Sequence, residues 1–108
     1  MRGGVYNPLR VQLVHVTPVS YLILAGANGW IDTDVSAQTG TIVSRIWLVS
    51  ANPSGSQLCG ARALGETIEP NANLNNSGLF LSRVGDTGHM DLFRSVANCT
   101  YTIIGYLL

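Results

Sequence analysis

The sequence predicts an all-β domain, a sandwich of about eight short antiparallel strands. Three observations point there. Val, Ile, Thr and Tyr recur in short runs, as strands favour. Lysine is absent and glutamate scarce, which removes the long straight-chain helix formers. Clusters of Gly, Pro, Asn, Asp and Ser break the runs at the spacing of turns in an all-β fold. A chain of 108 residues fits one domain, residues 1–108, and is too short for two.

Residues 1–7 read as a flexible leading segment, and Leu9 to Val16 as the first strand, stopped by Thr17-Pro18. Ser20 to Ala25 and Trp30 to Ser36 flank Ala27-Asn28-Gly29, where Asn-Gly supplies the positive φ angles of a tight hairpin turn. Ala37 to Gly40 is a second turn, and Thr41 to Ser50 a long apolar strand ended by Asn52-Pro53-Ser54-Gly55-Ser56. Gln57 to Leu64 forms the next strand, followed by a polar stretch from Glu66 to Ser77 with a short strand near Glu66 to Ile68. Gly78 to Val84 and His89 to Ser95 bracket Gly85-Asp86-Thr87-Gly88, the clearest hairpin signal in the chain. Cys99 to Leu108 is the last strand.

Two strands are apolar on both faces. Side chains alternate along a strand, so Tyr101, Ile103 and Leu107 oppose Ile104, Tyr106 and Leu108, and Ile42, Ile46 and Leu48 oppose Val43, Trp47 and Val49. A sandwich buries one face of each sheet, so the second apolar face needs another cover, and a neighbouring subunit supplies it. The chain also ends in Leu107-Leu108 with no polar tail, as expected of a strand locked inside a sheet or beside a symmetry axis.

Charged residues are 11% of the chain against roughly 25% in ordinary soluble domains, so neutral groups or another subunit must cover much of the surface. The bases are Arg2, Arg10, Arg45, Arg62, Arg83 and Arg94, balanced by six acids. Zero net charge argues against a nucleic-acid partner, which needs a cationic surface to displace counterions. Neither a signal peptide nor an apolar run long enough to cross a bilayer is read, so no membrane partner is expected. Cys59 and Cys99 are expected as two buried free thiols, with a single bridge the alternative. Asn75-Asn76-Ser77 and Asn98-Cys99-Thr100 match glycosylation sequons.

Little in the sequence points to catalysis. His15, His89, Cys59 and Cys99 lack the short paired spacing of zinc ligands. Asp32 and Asp34 share a strand face but lack the glycine and distal glutamate of a calcium loop. Gly85-Asp86-Thr87-Gly88-His89 places an acid near a histidine without a nucleophile motif, and reads as turn chemistry. Gly3-Gly4 does not form a phosphate-binding loop. The expectation is a protein that is not an enzyme, with no cofactor, no metal site and no catalytic residue. The strand arginines could pair with Asp91, Glu66 or Glu69 across strands or subunits, arginine being the preferred interface cation. Trp30, Trp47, Tyr101 and Tyr106 could stack on sugars or pack in a core or interface.

Three stretches carry a resemblance: Cys59-Gly60-Ala61-Arg62-Ala63-Leu64-Gly65, the segment Leu79 to Phe93 with its Gly-Asp-Thr-Gly turn, and Tyr101-Thr102-Ile103-Ile104-Gly105-Tyr106-Leu107. Over residues 30–108 the chain resembles the small jelly-roll modules of phage and virus structural proteins, similar in outline to trimeric tumour-necrosis-factor and C1q-like heads. The resemblance implies a jelly-roll β-sandwich that assembles as a homotrimer around a three-fold axis, in a virion or extracellular setting. It implies a capsid decoration, coat or fibre-head role, with a capsid or fibre protein as a further partner. No fibrous stalk is present, which favours a free-standing subunit. The interface candidates are Arg45, Trp47, Arg62, Arg94, Tyr101, Ile104, Tyr106 and Leu108. The competing expectation is a carbohydrate-binding, lectin-like module that sets the loop aromatics or Trp30 against sugar faces, with Asp or Asn holding hydroxyls.

Overall fold

A computed structural model describes residues 12–55, 57–67 and 78–108. Residues 1–7, Arg2, Gly3-Gly4, Arg10, the start of the first expected strand, Ile68, Glu69 and the Asn75 sequon lie outside them.

The described residues form seven strands and one helical turn: β1 (Leu13–Ile23), β2 (Gly29–Asp34), α1 (Ser36–Thr39), β3 (Trp47–Pro53), β4 (Ala61–Ala63), β5 (Gly78–Ser82), β6 (His89–Arg94) and β7 (Cys99–Leu107). They pair antiparallel in two sheets, ordered β1-β7-β3-β5 and β2-β6-β4. The fold is the all-β sandwich expected. Among the described residues, successive strands alternate between the two sheets, β1, β3, β5 and β7 in one and β2, β4 and β6 in the other. That winding is the jelly-roll arrangement.

This winding corrects both hairpin expectations. Asn28-Gly29 joins β1 of one sheet to β2 of the other, and Gly29 is not among the glycines of positive φ. The turn at 85–88 is tight, with Gly88 N–H donating to Gly85 O and Gly85 N–H to His89 O, but it too links strands of different sheets. Gly88 has φ +78° there, and a Cβ on it would come within 2.5 Å of the Ser36 side chain. A turn signal specifies a chain reversal; it does not specify that the flanking strands become partners.

Other boundaries move for identifiable reasons. Thr17-Pro18 does not stop β1, because β1 is an edge strand and its register slips between His15 and Val19, where a residue without an N–H is tolerated. The strand expected over Thr41 to Ser50 begins only at Trp47 and runs on to Pro53, leaving Ile42 and Val43 about half exposed before it. Ala37 to Gly40 lies in and just after α1, and Gln57 to Leu64 contracts to the three residues of β4. β7 is hydrogen-bonded to β1 on one side and β3 on the other, while Leu108 beyond it is exposed.

The core lies between the sheets. Trp47, Val49 and Ala51 of β3, Phe80 of β5, and Tyr101 and Ile103 of β7 meet Ala61, Met90 and Leu92 of the opposite layer. The inward residues follow period two until Ile104. There β7 carries an extra residue relative to β3, between the pairs Ile103–Val49 and Gly105–Leu48. The bulge reverses the alternation. Tyr106 therefore packs against the core, edge-on to Trp47 with ring centroids 5.1 Å apart, rather than on the side opposite Ile103.

Candidate functional site

The two sheets present outer faces of opposite character. On the three-stranded sheet, the residues pointing away from Met90 and Leu92 are Trp30, Asp32 and Asp34 of β2, Arg62 of β4, and His89, Asp91 and Phe93 of β6. Asp32 lies directly across from Asp91, a repulsive placement for like charges, and each finds its own partner. Arg62 Nε donates to Asp91 Oδ2 at 2.8 Å, and the Gly65 N–H donates to the same oxygen at 3.0 Å. The Arg62 guanidinium also sits 4.2 Å over the Trp30 ring, which meets Phe93 edge-on at 5.2 Å. His89 Nδ1 and Asp32 Oδ1 are 2.5 Å apart, with Asp34 Oδ2 3.8 Å from Nε2.

The Asp32 hydrogen bond raises the His89 pKa above its ordinary 6.5, outweighing desolvation, and the charges of Asp32 and Asp34 add to the rise. Asp34 is held below its ordinary 3.8 by the Ser36 hydroxyl and then by the Ser36 backbone N–H. A raised folded pKa on His89 stabilises the fold fully below pH about 6.5, and the contribution disappears as pH rises through the folded value. A lowered one on Asp34 contributes above pH about 3.8 and is lost as pH falls through the folded value. The cluster therefore supports the fold most between those limits. NMR titration of the imidazoles is expected to place His89, assigned by its loss in His89→Gln, above 6.5. A value at or below 6.5 would show that the ion pair does not form.

The four-stranded sheet differs. Its outer face is built from His15, Ser20 and Leu22 of β1, Thr100, Thr102 and Ile104 of β7, Leu48, Ser50 and Asn52 of β3, and Leu79 and Leu81 of β5. They form cross-strand rows: Leu22–Thr100–Asn52, Ser20–Thr102–Ser50–Leu79, and His15–Gly105–Leu48–Leu81. The exposed His15, at the β1 margin, is the one ionisable side chain in these rows. The hydroxyls of Ser20 and Thr102 satisfy each other at 3.0 Å. Leu22, Leu79 and Leu81 are 57%, 61% and 46% exposed, while Leu48 and Ile104 are half-buried. These leucines share one sheet face with neutral hydroxyls, whereas exposed leucines scattered singly are ordinary on a protein surface.

The interface residues expected from the sequence scatter. Trp47 and Tyr101 lie in the chain's own core, 2% and 0% exposed, with no surface left for a second chain to touch. Tyr106 packs against the core with Arg45 stacked 3.9 Å over its ring. Arg62 stands on the opposite sheet with Asp91, and Arg94 donates from Nε to Ala27 O at the margin of the sandwich. Leu108 is exposed beyond β7, with its N–H bonded to Gln12 O. Of them only Ile104 belongs to the outer face of the four-stranded sheet. Leu22, Leu48, Leu79 and Leu81 of that face were not among them, although Gly78-Leu79-Phe80-Leu81-Ser82 carries the same signature of apolar residues at both parities.

Among the described residues no helix is long and apolar enough to cross a membrane. No protein-family model, curated protein or solved structure matches the chain, so its functional reading rests on the fold and on the contrast between its two faces.

Proposed function

We propose that the chain is a non-enzymatic structural subunit that associates with copies of itself through the outer face of the β1-β7-β3-β5 sheet. The carrying observation is that this face exposes Leu22, Leu79 and Leu81 and carries no Asp, Glu or Arg on its paired strands, its one ionisable side chain there being His15 at the β1 margin, whereas the other outer face is densely charged. A surface whose one ionisable group is a histidine at its margin can meet its own copy without burying an unpaired carboxylate or guanidinium and with little like-charge repulsion, the two costs that usually oppose self-association. Three copies is the expected number, from the resemblance to trimeric jelly-roll heads. A virion decoration, coat or fibre-head role in a virion or extracellular setting follows from the same source.

Light scattering at micromolar concentration tests this reading. The wild-type chain is expected to run at about three times its 11.5 kDa monomer mass. Leu81→Arg, at a side chain exposed enough to spare the fold, should return it to the monomer, while Asp32→Asn on the other face should not. A wild-type monomer would overturn the proposal. The carbohydrate-binding reading is the weaker one: Trp47 is buried, and the Trp30 ring is already covered by Arg62 and flanked by Phe93. A glycan array tests it.

A further inference from the structure

Cys59 and Cys99 are forty positions apart in sequence, yet their sulfurs lie 3.8 Å apart, with both residues buried. Cys59 leads into β4 of the three-stranded sheet, and Cys99 is the first residue of β7 in the four-stranded one. The pair thus spans the two layers. Its backbone is tied down on both sides. Two residues before Cys59, Gln57 donates from Nε2 to Asn98 O at 3.0 Å and accepts the Ala97 N–H at Oε1 at 3.1 Å. The Ser54 N–H and hydroxyl also donate to Asn98 O. After Cys59, the Gly60 N–H donates to the Tyr101 hydroxyl, which in turn donates to Phe93 O at 2.8 Å. A disulfide needs the sulfurs at about 2.05 Å, so the pair has to close from 3.8 Å to form one.

We propose that Cys59 and Cys99 form a modification site, joining as a disulfide that staples the two sheets when the chain meets a small-molecule disulfide such as oxidised glutathione. One protein thiolate attacks a sulfur of the oxidant, giving a mixed disulfide and releasing one glutathione thiol. The second thiolate then attacks the modified cysteine sulfur, forming the Cys59–Cys99 bond and releasing the other. Two protein thiols are oxidised, one external disulfide is reduced to two thiols, and the two protons pass to those products. Burial, reinforced by Cys99 beside it, pushes the Cys59 thiol up to about 12, so thiolate is scarce in the closed sandwich. The bond therefore forms fastest on the folding chain, or when β4, a three-residue edge strand, opens. The inference is independent of self-association through the opposite surface.

The test is to refold the full chain in mixed reduced and oxidised glutathione, quench with acid, and alkylate in denaturant. The expected product is lighter by two hydrogens, takes up no alkylating reagent, and yields a cross-linked peptide pair containing Cys59 and Cys99. Its thermal midpoint should exceed that of the reduced protein by roughly 10 °C, and reductant should abolish the gain. Alkylation of both cysteines, a stable glutathione adduct, a bond between two chains, or a bond that leaves the midpoint unchanged would each overturn the proposal.

Discussion

Trp47→Ala is expected to cost about 3–5 kcal/mol, a large part of the 5–15 kcal/mol that holds a domain of this size together. The indole is 2% exposed and fills the space between β3 and the bulged end of β7, where Tyr106 meets it edge-on and Arg45 covers Tyr106 from outside. Alanine would open a cavity beneath the Tyr106 ring, and close packing leaves little room for the sheet to collapse into it. The Trp47 Nε1–H has no hydrogen-bond partner among the described residues, so the native tryptophan already carries the cost of a buried orphan donor. Trp47→Phe should therefore be much milder than Trp47→Ala, because it removes that donor along with some volume. Urea unfolding followed by circular dichroism distinguishes the cases. An alanine variant within about 1 kcal/mol of wild type would place Trp47 outside the core.

Asp91→Ala should be comparably damaging for an electrostatic reason. The Asp91 and Arg62 side chains are 6% and 15% exposed, and the carboxylate accepts both Arg62 Nε–H and the Gly65 N–H. Removing it strands a mostly buried guanidinium and a backbone donor at once, a loss of about 3–5 kcal/mol when one partner of a buried pair is deleted. Removing both charges is a different experiment. Arg62→Met with Asp91→Leu leaves no unpaired ion, and such exchanges are often close to neutral, so the double variant should recover most of the loss. If Asp91→Ala alone unfolds within about 0.5 kcal/mol of wild type, the pair is a solvated surface contact instead.

The misplacements in the sequence reading share one origin. Asn28-Gly29 and Gly85-Asp86-Thr87-Gly88 were legible as turns, and the chain does turn there. Their flanking strands go to opposite sheets because β1 finds β7, and β2 finds β6, far along the chain. Tyr106 was assigned to the wrong side for a similar reason. Alternation is exact only while two strands stay in register, and the inserted Ile104 becomes visible only against the partner β3. Arg62 and Arg94 were legible as strand residues, whereas Arg45 and Arg83 fall just outside β3 and β5. Asp91 was among the partners expected, but that it takes Arg62 follows from the pairing of β4 with β6, which uses Arg62 up within the chain.

Composition and local pattern were enough to establish an all-β chain of short strands, its low charge, most of its turns, and the presence of strands apolar at both parities. These properties belong to neighbouring residues, through β-propensity, period-two alternation and turn chemistry, so they can be read locally. The choice of partners, the bulge that redirects Tyr106, the meeting of Cys59 with Cys99, and the gathering of Leu22, Leu48, Leu79 and Leu81 onto one sheet face came only with the tertiary structure. Strand pairing minimises exposed apolar surface and unsatisfied backbone over the whole chain at once, and in a fold whose strands alternate between layers that sum is dominated by contacts distant in sequence.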